Sequence, residues 1–347
     1  MKKLYLISND KIWSSQKNYT SSNDLNNIIS CLYREYDLHL ISRKSKVKLN
    51  FHIKNKFKYC HLNKIFKNKL NILLVSITPY NFFVLLYLIF IKRSLIEGFV
   101  YLRSDGFLEY KYRYGLIGYY FYYLMFLVIK KYLKVITCSK NFTKINTRNI
   151  IHPSELTKIW FNNNNLRKKN KSDFLYIGRF KKDKGALYLA NIFKNQLKEY
   201  KLTIVGTEKK IINKNFYSKN INYLSSISET KKLIKIYDST KIFILPSYIE
   251  GFPKVISEAL ARLRPVIIFE DIKFVVNGRN GIFICKRNDD SLRKTITYIF
   301  NNYKNIQKKI KKNYFFTKDN FKKELLASLK KWILVQVFLN FSLGMVS

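Results

Sequence analysis

Short apolar runs rich in Ile, Val, Leu and Tyr recur along the chain, separated by longer segments whose apolar positions repeat near every 3.6 residues. The short runs predict buried parallel strands and the longer segments predict the helices that cross between them, the pattern of β-α units. In the first half, strands are predicted over 3–8, 38–42, 72–76, 99–103 and 134–138. The polar, aperiodic stretch NNNNLRKKNKS at 162–172 then breaks the series and reads as a linker. A second series follows, with strands predicted over 174–177, 201–205, 221–224, 242–245, 266–269 and 282–285. Helices are predicted over 186–200, 229–237, 291–314 and 318–332. The whole predicts two doubly wound α/β domains: residues 1–165, a linker at 166–172, and residues 173–316. A C-terminal helix within 317–347 is expected to pack back on the first domain. Ligands of such sheets bind at the carboxyl ends of the strands, so two in tandem are expected to face each other across a cleft.

Two strongly apolar segments, 82–91 and 115–129, fall short of the ~20 residues a spanning helix needs and are read as buried helices, with insertion at a membrane interface as the alternative. The apolar segment 332–347 suggests no function.

The 347 residues include 65 Lys plus Arg against 22 Asp plus Glu, a net charge of +43. Such an excess raises a nucleic-acid reading, but the charge is spread evenly, +22 over residues 1–170 and +21 over 171–347. A nucleic-acid binder concentrates its cations on a reading helix or stacking platform. One stretch stands out: no acid occurs between Asp37 and Glu97, while Lys54, Lys56 and Lys58 alternate there with Phe51, Phe57 and Tyr59. This mixture suits an anionic membrane surface, and equally a solvated basic face. The four cysteines are far apart in sequence and form no Cys-x-x-Cys pair, and the N-terminal apolar run is too short for a signal peptide, so a reducing cytoplasm is expected.

The candidate chemistry lies in the second half. Pro246–Ala261 (PSYIEGFPKVISEALA) follows a predicted strand, and Pro253 is tolerated only near a helix start, so a helix should begin there. Glu250 then sits in the loop ahead of it and Glu258 on its second turn. The backbone N–H groups of Gly251, Phe252, Pro253's neighbours and Lys254 would form a helix N-terminus that attracts phosphate. A second loop, GRFKKDKG at 178–185, carries Arg179 and Lys184, two cations able to converge on one diphosphate, with Gly178 and Gly185 allowing tight turns.

These stretches resemble the nucleotide-sugar-binding domain of GT-B glycosyltransferases of the family four (group 1) type. The resemblance rests on Gly178-Arg179-Phe180 with Lys184-Gly185, on Glu250 and Glu258 within EGFPKVISEALA, and on Pro265-Val266-Ile267. It covers about residues 172–332 and implies two Rossmann-like domains in the GT-B arrangement, the first binding the acceptor. By the same resemblance Arg179 and Lys184 hold the donor diphosphate, Glu258 binds the ribose hydroxyls, and Glu250 contacts the sugar near its anomeric carbon. Gly178, Gly251, Phe252, Pro253 and Lys254 would complete the donor site. The donor would be UDP- or GDP-linked and the anomeric configuration retained. No Asp-x-Asp occurs, so no metal ligand set and no other cofactor are expected.

The implied function is transfer of a sugar to a glycan or lipid-linked acceptor in cell-surface polysaccharide biosynthesis, in the cytoplasm and at the inner face of the membrane. A nucleic-acid-binding protein and a catalytically silent sugar-nucleotide binder are the alternatives. Oligomeric state is not read from the sequence. In the first half, Asp105 after strand 99–103 either polarises an acceptor hydroxyl or stabilises an Asp-Gly turn, and Arg103 pairs with it or with phosphate. His152-Pro153-Ser154-Glu155 lines the cleft or forms a turn. Arg262-Leu263-Arg264 stands where the family has a small Gly, so the turn there must be built differently.

Overall fold

A computed structural model of the chain describes residues 1–15, 18–49, 51–65, 69–140, 142, 145, 147, 149–162, 172–207 and 216–343, with side chains to residue 330 except at 64. The chain divides into two compact units, Met1–Pro153 with Lys318–Ser347, and Ser154–Thr317. The expected boundary at 165 and most of the 166–172 linker fall outside the described residues, while Ser172 already opens a strand.

The first unit runs β1 (Lys2–Ser15), β2 (Asn18–Ser21), α1 (Asn23–Leu32), β3 (Tyr36–Lys44), β4 (Phe51–Ile53), β5 (Lys58–Tyr59), β6 (Lys69–Val75), α2 (Pro79–Leu86), β7 (Leu95–Leu102), α3 (Gly106–Tyr132) and β8 (Lys134–Thr137). Its sheet is parallel in the order β5-β3-β1-β6-β7-β8, and every strand predicted in this half is present. The far end of β1 pairs antiparallel with β2, and β2 with β4. These short additions lack a continuous apolar run, so periodicity does not show them. Leu6, Ile7, Leu73, Leu74 and Val100 form the centre, buried on both faces as parallel strands require.

The second unit contains β9 (Ser172–Ile177), α4 (Ala186–Asn195), β10 (Leu202–Val205), β11 (Ile221–Leu224), α5 (Thr230–Asp238), β12 (Thr240–Leu245), α6 (Lys254–Ala261), β13 (Val266–Phe269), β14 (Ile282–Cys285), α7 (Asp289–Asn301) and α8 (Tyr303–Ile310). Its parallel sheet has the order β11-β10-β9-β12-β13-β14. The single helix expected over 291–314 is two, broken at Asn302. The first of them starts at Asp289, two residues earlier than expected, and Asn288 caps it by accepting from the Ser291 backbone N–H.

Helix α9 (Lys318–Leu343) returns to the first unit. Phe321 meets the Tyr101 ring at 6.4 Å, Glu324 accepts from the His152 backbone N–H at 2.7 Å and contacts its ring, and Lys330 pairs with Glu35. His152 is thus held by α9 within this unit.

The segment after Pro153 belongs to the second unit because Arg262 ties it there. Its guanidinium is buried, grips both oxygens of Asp238 at 2.8 Å, and donates to the carbonyls of Trp160 and Asn162. Leu263 takes the left-handed conformation, φ 54°, in the turn that follows. This is the different construction that the missing Gly demands: the ion pair and its neighbour Arg264, bonded to the Asp238 carbonyl, hold a strained non-glycine turn.

The two segments read as buried helices are only half so. Residues 79–86 are α2, continued by a wide turn over Tyr87–Ile91, and Phe83, Phe90 and Ile91 are exposed. Residues 115–129 lie in α3 and leave Leu116, Ile117, Tyr120, Phe121, Leu124 and Leu127 in solvent. Each has one face against the sheet and one with nothing of its own unit to cover it.

Candidate active site

The carboxyl ends of β9 and β12 bring the two sequence loops of the second unit together. Gly178 donates to the Val205 carbonyl, and the Tyr176 hydroxyl reaches forward to the carbonyl of Arg179 at 2.9 Å. The loop 178–185 then turns on itself through Lys184 to Lys181 and Gly185 to Lys182 backbone bonds. Gly185 has φ +66°, and a Cβ there would lie 1.9 Å from the Pro246 carbonyl oxygen. Only glycine permits this approach. The Tyr248 N–H donates to Asp183 O at 3.1 Å, closing the two loops on each other.

Lys184 and Glu250 meet in that contact. The ammonium lies 2.8 Å from Glu250 Oε1, which also accepts from the Ser247 hydroxyl at 2.7 Å. Arg179 is exposed beside them. Burial drives the Tyr176 phenol far above its ordinary pKa, and Glu250 and Asp183 push it further while Arg179 opposes, so Arg179 and Glu250 both lie near this one phenol. The structure therefore assembles Arg179, Lys184 and Glu250 from positions up to 71 residues apart in sequence.

Helix α6 begins at Lys254 with Pro253 as its N-cap, where the proline predicted it, and no side chain caps its first turn. Gly251 and Pro253 are buried and Phe252 is half-buried in the loop ahead of it. Lys254 forms an ion pair with Glu155. Glu258 sits on the second turn and accepts from the Tyr237 hydroxyl at 2.8 Å. Burial, with the Glu155 charge adding, lifts its carboxyl to about 7, against the opposing effects of that hydrogen bond and of Lys254. At neutral pH this group is poised between its two forms.

Sequence reasoning missed Arg287. It follows β14, packs over the Tyr248 ring at 3.8 Å and the Phe269 ring at 4.5 Å, pairs with Asp271, and donates to the carbonyls of Pro246 and Ser247. It clamps the end of β12 from which Glu250 projects. One basic residue among 65 carries no local signal, and only its aromatic box distinguishes it.

In the first unit, Asp105 is buried and its carboxylate caps α3 by accepting from the Leu108 N–H at 3.2 Å. Of the two roles expected for Asp105, the geometry shows the one that stabilises the turn after β7. Arg103 pairs instead with Asp10 at 3.3 Å and Asp24 at 3.1 Å, and donates to Ser76. Neither aspartate was marked by its neighbours in sequence. Among the described residues, no group of three or more His, Cys, Asp or Glu is placed to hold a metal ion.

Residues 158–315, nearly all of the second unit, match the family described as glycosyl transferases group 1. An uncharacterized glycosyltransferase of Haemophilus influenzae is 29% identical over 196 residues, 50% of this chain and 54% of that protein. The capsular polysaccharide biosynthesis glycosyltransferase CapM of Staphylococcus aureus is 33% identical over 145 residues, 35% of this chain and 38% of that one. The chain thus spans about half the length of the curated relatives it matches, or less. The crystal structure of Anabaena Alr3699/HepE in complex with UDP and glucose covers 95% of this chain and 100% of its own, at 13% identity and TM-score 0.66. The fold is that of the GT-B glycosyltransferases, with a Rossmann-like sheet in each unit.

Proposed function

We propose that the protein is a glycosyltransferase that moves a sugar from a UDP- or GDP-linked donor to a glycan or lipid-linked acceptor in cell-surface polysaccharide biosynthesis, working at the cytoplasmic face of a membrane. The observation that carries this reading is the convergence of Arg179, Lys184 and Glu250 at adjoining strand ends. As the bond from the anomeric carbon to the diphosphate breaks, charge builds on phosphate oxygens. Fixed cations stabilise that charge better than water, which must reorganise. Lys184, held by Glu250 in the free protein, would exchange that carboxylate for the diphosphate and leave Glu250 to the sugar. Glu258 would accept from the ribose hydroxyls, giving up its proton as it does so. The bond to the acceptor oxygen forms with retention, its proton passing to the departing phosphate, and no metal is needed.

A thermal-shift panel of nucleoside diphosphates tests the donor half, since a ligand of the folded state raises the melting temperature by mass action. A shift with UDP or GDP is expected, with turnover that survives EDTA. A shift without turnover against any acceptor would leave a silent binder, and restoration of lost activity by Mg²⁺ would overturn metal independence.

A further inference from the structure

Helix α3 is not a single rod. Gly115 has φ 66° and ψ −152°, a combination open essentially to glycine alone. In a continuous helix Phe107 and Phe126 would be about 28 Å apart along the axis. Their ring centroids are 5.3 Å apart, and those of Tyr110 and Tyr122 are 5.1 Å apart. The segment therefore doubles back at Gly115 as a helical hairpin. Two more glycines let its arms touch: a Cβ on Gly106 would lie 2.0 Å from the Tyr122 ring, and one on Gly118 2.5 Å from the Tyr110 carbonyl oxygen.

The inner faces of the arms are buried, with Phe107, Tyr122, Met125 and Phe126 between them and the sheet. The turn is the reverse. Every residue from 111 to 117 is exposed, Ile117 at 84% and Leu116 at 64%, with Tyr112 and Tyr114 on one arm and Tyr120 and Leu124 on the other. An apolar tip of this kind on a folded unit marks a contact surface.

We infer that the hairpin tip docks on an anionic lipid surface, Leu116 and Ile117 entering the boundary between headgroups and acyl chains. Three features select this occupant. The tyrosines ring the aliphatic tip, and tyrosine is the residue that sits at headgroup level. Beside the turn Lys111 is exposed and Arg113 pairs with Glu109, the single acid of residues 106–132, so the surroundings of the tip keep a net positive charge that attracts anionic headgroups. A second copy of the chain carries the same +43, and this like charge opposes self-association. Among the described residues no helix is long and apolar enough to cross a membrane, so the tip enters and does not span. The inference rests on the membrane part of the function proposed above and is independent of the donor. Nucleotide-dependent thermal shifts and vesicle binding can therefore fail separately.

Flotation of the whole chain with phosphatidylglycerol/phosphatidylethanolamine vesicles, against phosphatidylcholine alone, tests it. Binding to the anionic vesicles is expected, weakening as salt rises. Leu116→Asp and Ile117→Asp should each lower the partition about ten- to hundredfold. Val47→Asp, at another exposed apolar residue of the same unit, should leave it unchanged. Ile117→Trp, which keeps the tip apolar, should bind and shift its emission to the blue. Undiminished binding of both aspartate variants, with loss on charge reversal at Lys54, Lys56 and Lys58, would overturn the hairpin and place docking on that basic stretch. Absence of wild-type binding at low salt would overturn it together with the membrane reading. A concentration-dependent dimer abolished by Ile117→Asp would give the tip to a second copy instead.

Discussion

The two units share one strand order yet use it differently. In the second, the loops after β9 and β12 are hydrogen-bonded to each other and gather cations and carboxylates at one edge. In the first, the corresponding edge carries Arg103 locked to Asp10 and Asp24, and a capping Asp105. Its distinctive surface is elsewhere, in an apolar hairpin tip. The same topology thus serves two ends because periodicity builds the sheet, while the loops that leave it are free to differ.

Four measurements would break or sharpen this contrast. The largest effect should come from Arg262→Ala in the second unit. Removing Arg262 leaves Asp238 with only the more distant Arg264, at 3.9 Å, and takes the donor from the Trp160 and Asn162 carbonyls, so urea unfolding should show a loss of about 3–5 kcal/mol. A loss near zero would mean that packing alone holds the Leu263 turn.

Arg179→Ala and Lys184→Ala should each lower turnover by about a hundredfold or more, with melting temperature nearly unchanged for the exposed Arg179 and slightly lowered for Lys184, which loses its pair with Glu250. Wild-type turnover in both at saturating donor would remove the leaving-group site from this unit.

Glu258→Gln should weaken nucleoside diphosphate binding by about 1.5–3 kcal/mol in calorimetry, whereas Glu250→Gln should leave that affinity unchanged or raise it, by releasing Lys184, and slow transfer. The elevated carboxyl adds a pH signature. Because Glu258 titrates near 7 when folded and near 4.5 when unfolded, the folded state holds the extra proton between those values. The resulting stability is complete below about 4.5 and is lost as pH rises through 7. The always-neutral Glu258→Gln should therefore gain on the wild type over that window, by up to roughly 3 kcal/mol. Equal pH slopes for both proteins would show that the carboxyl is solvated.

The smallest effect belongs to the first unit. Asp105→Ala should cost about 1 kcal/mol, the value of a helix cap, and leave turnover intact. A fall in turnover beyond tenfold would restore Asp105 to the chemistry and make the two strand-end edges alike.

Eleven core strands were legible because a strand buried on both faces must be an apolar run, and Pro253 marked a helix start because its ring excludes it from a helix interior. The two loops that meet at the ends of β9 and β12 were legible because glycine at 178 and 185 and acids spaced within one segment are local facts. By itself the sequence determined the β-α order, the two-unit plan and the residues Arg179, Lys184, Glu250 and Glu258. Tertiary structure alone decided what those residues touch, that Arg287 braces them, that Arg103 chooses Asp10 and Asp24 over Asp105, and that 115–129 doubles back with one face in water. Pairings between distant residues depend on which strand ends lie side by side, and exposure depends on what the rest of the fold leaves uncovered. Neither is a property of any window of sequence.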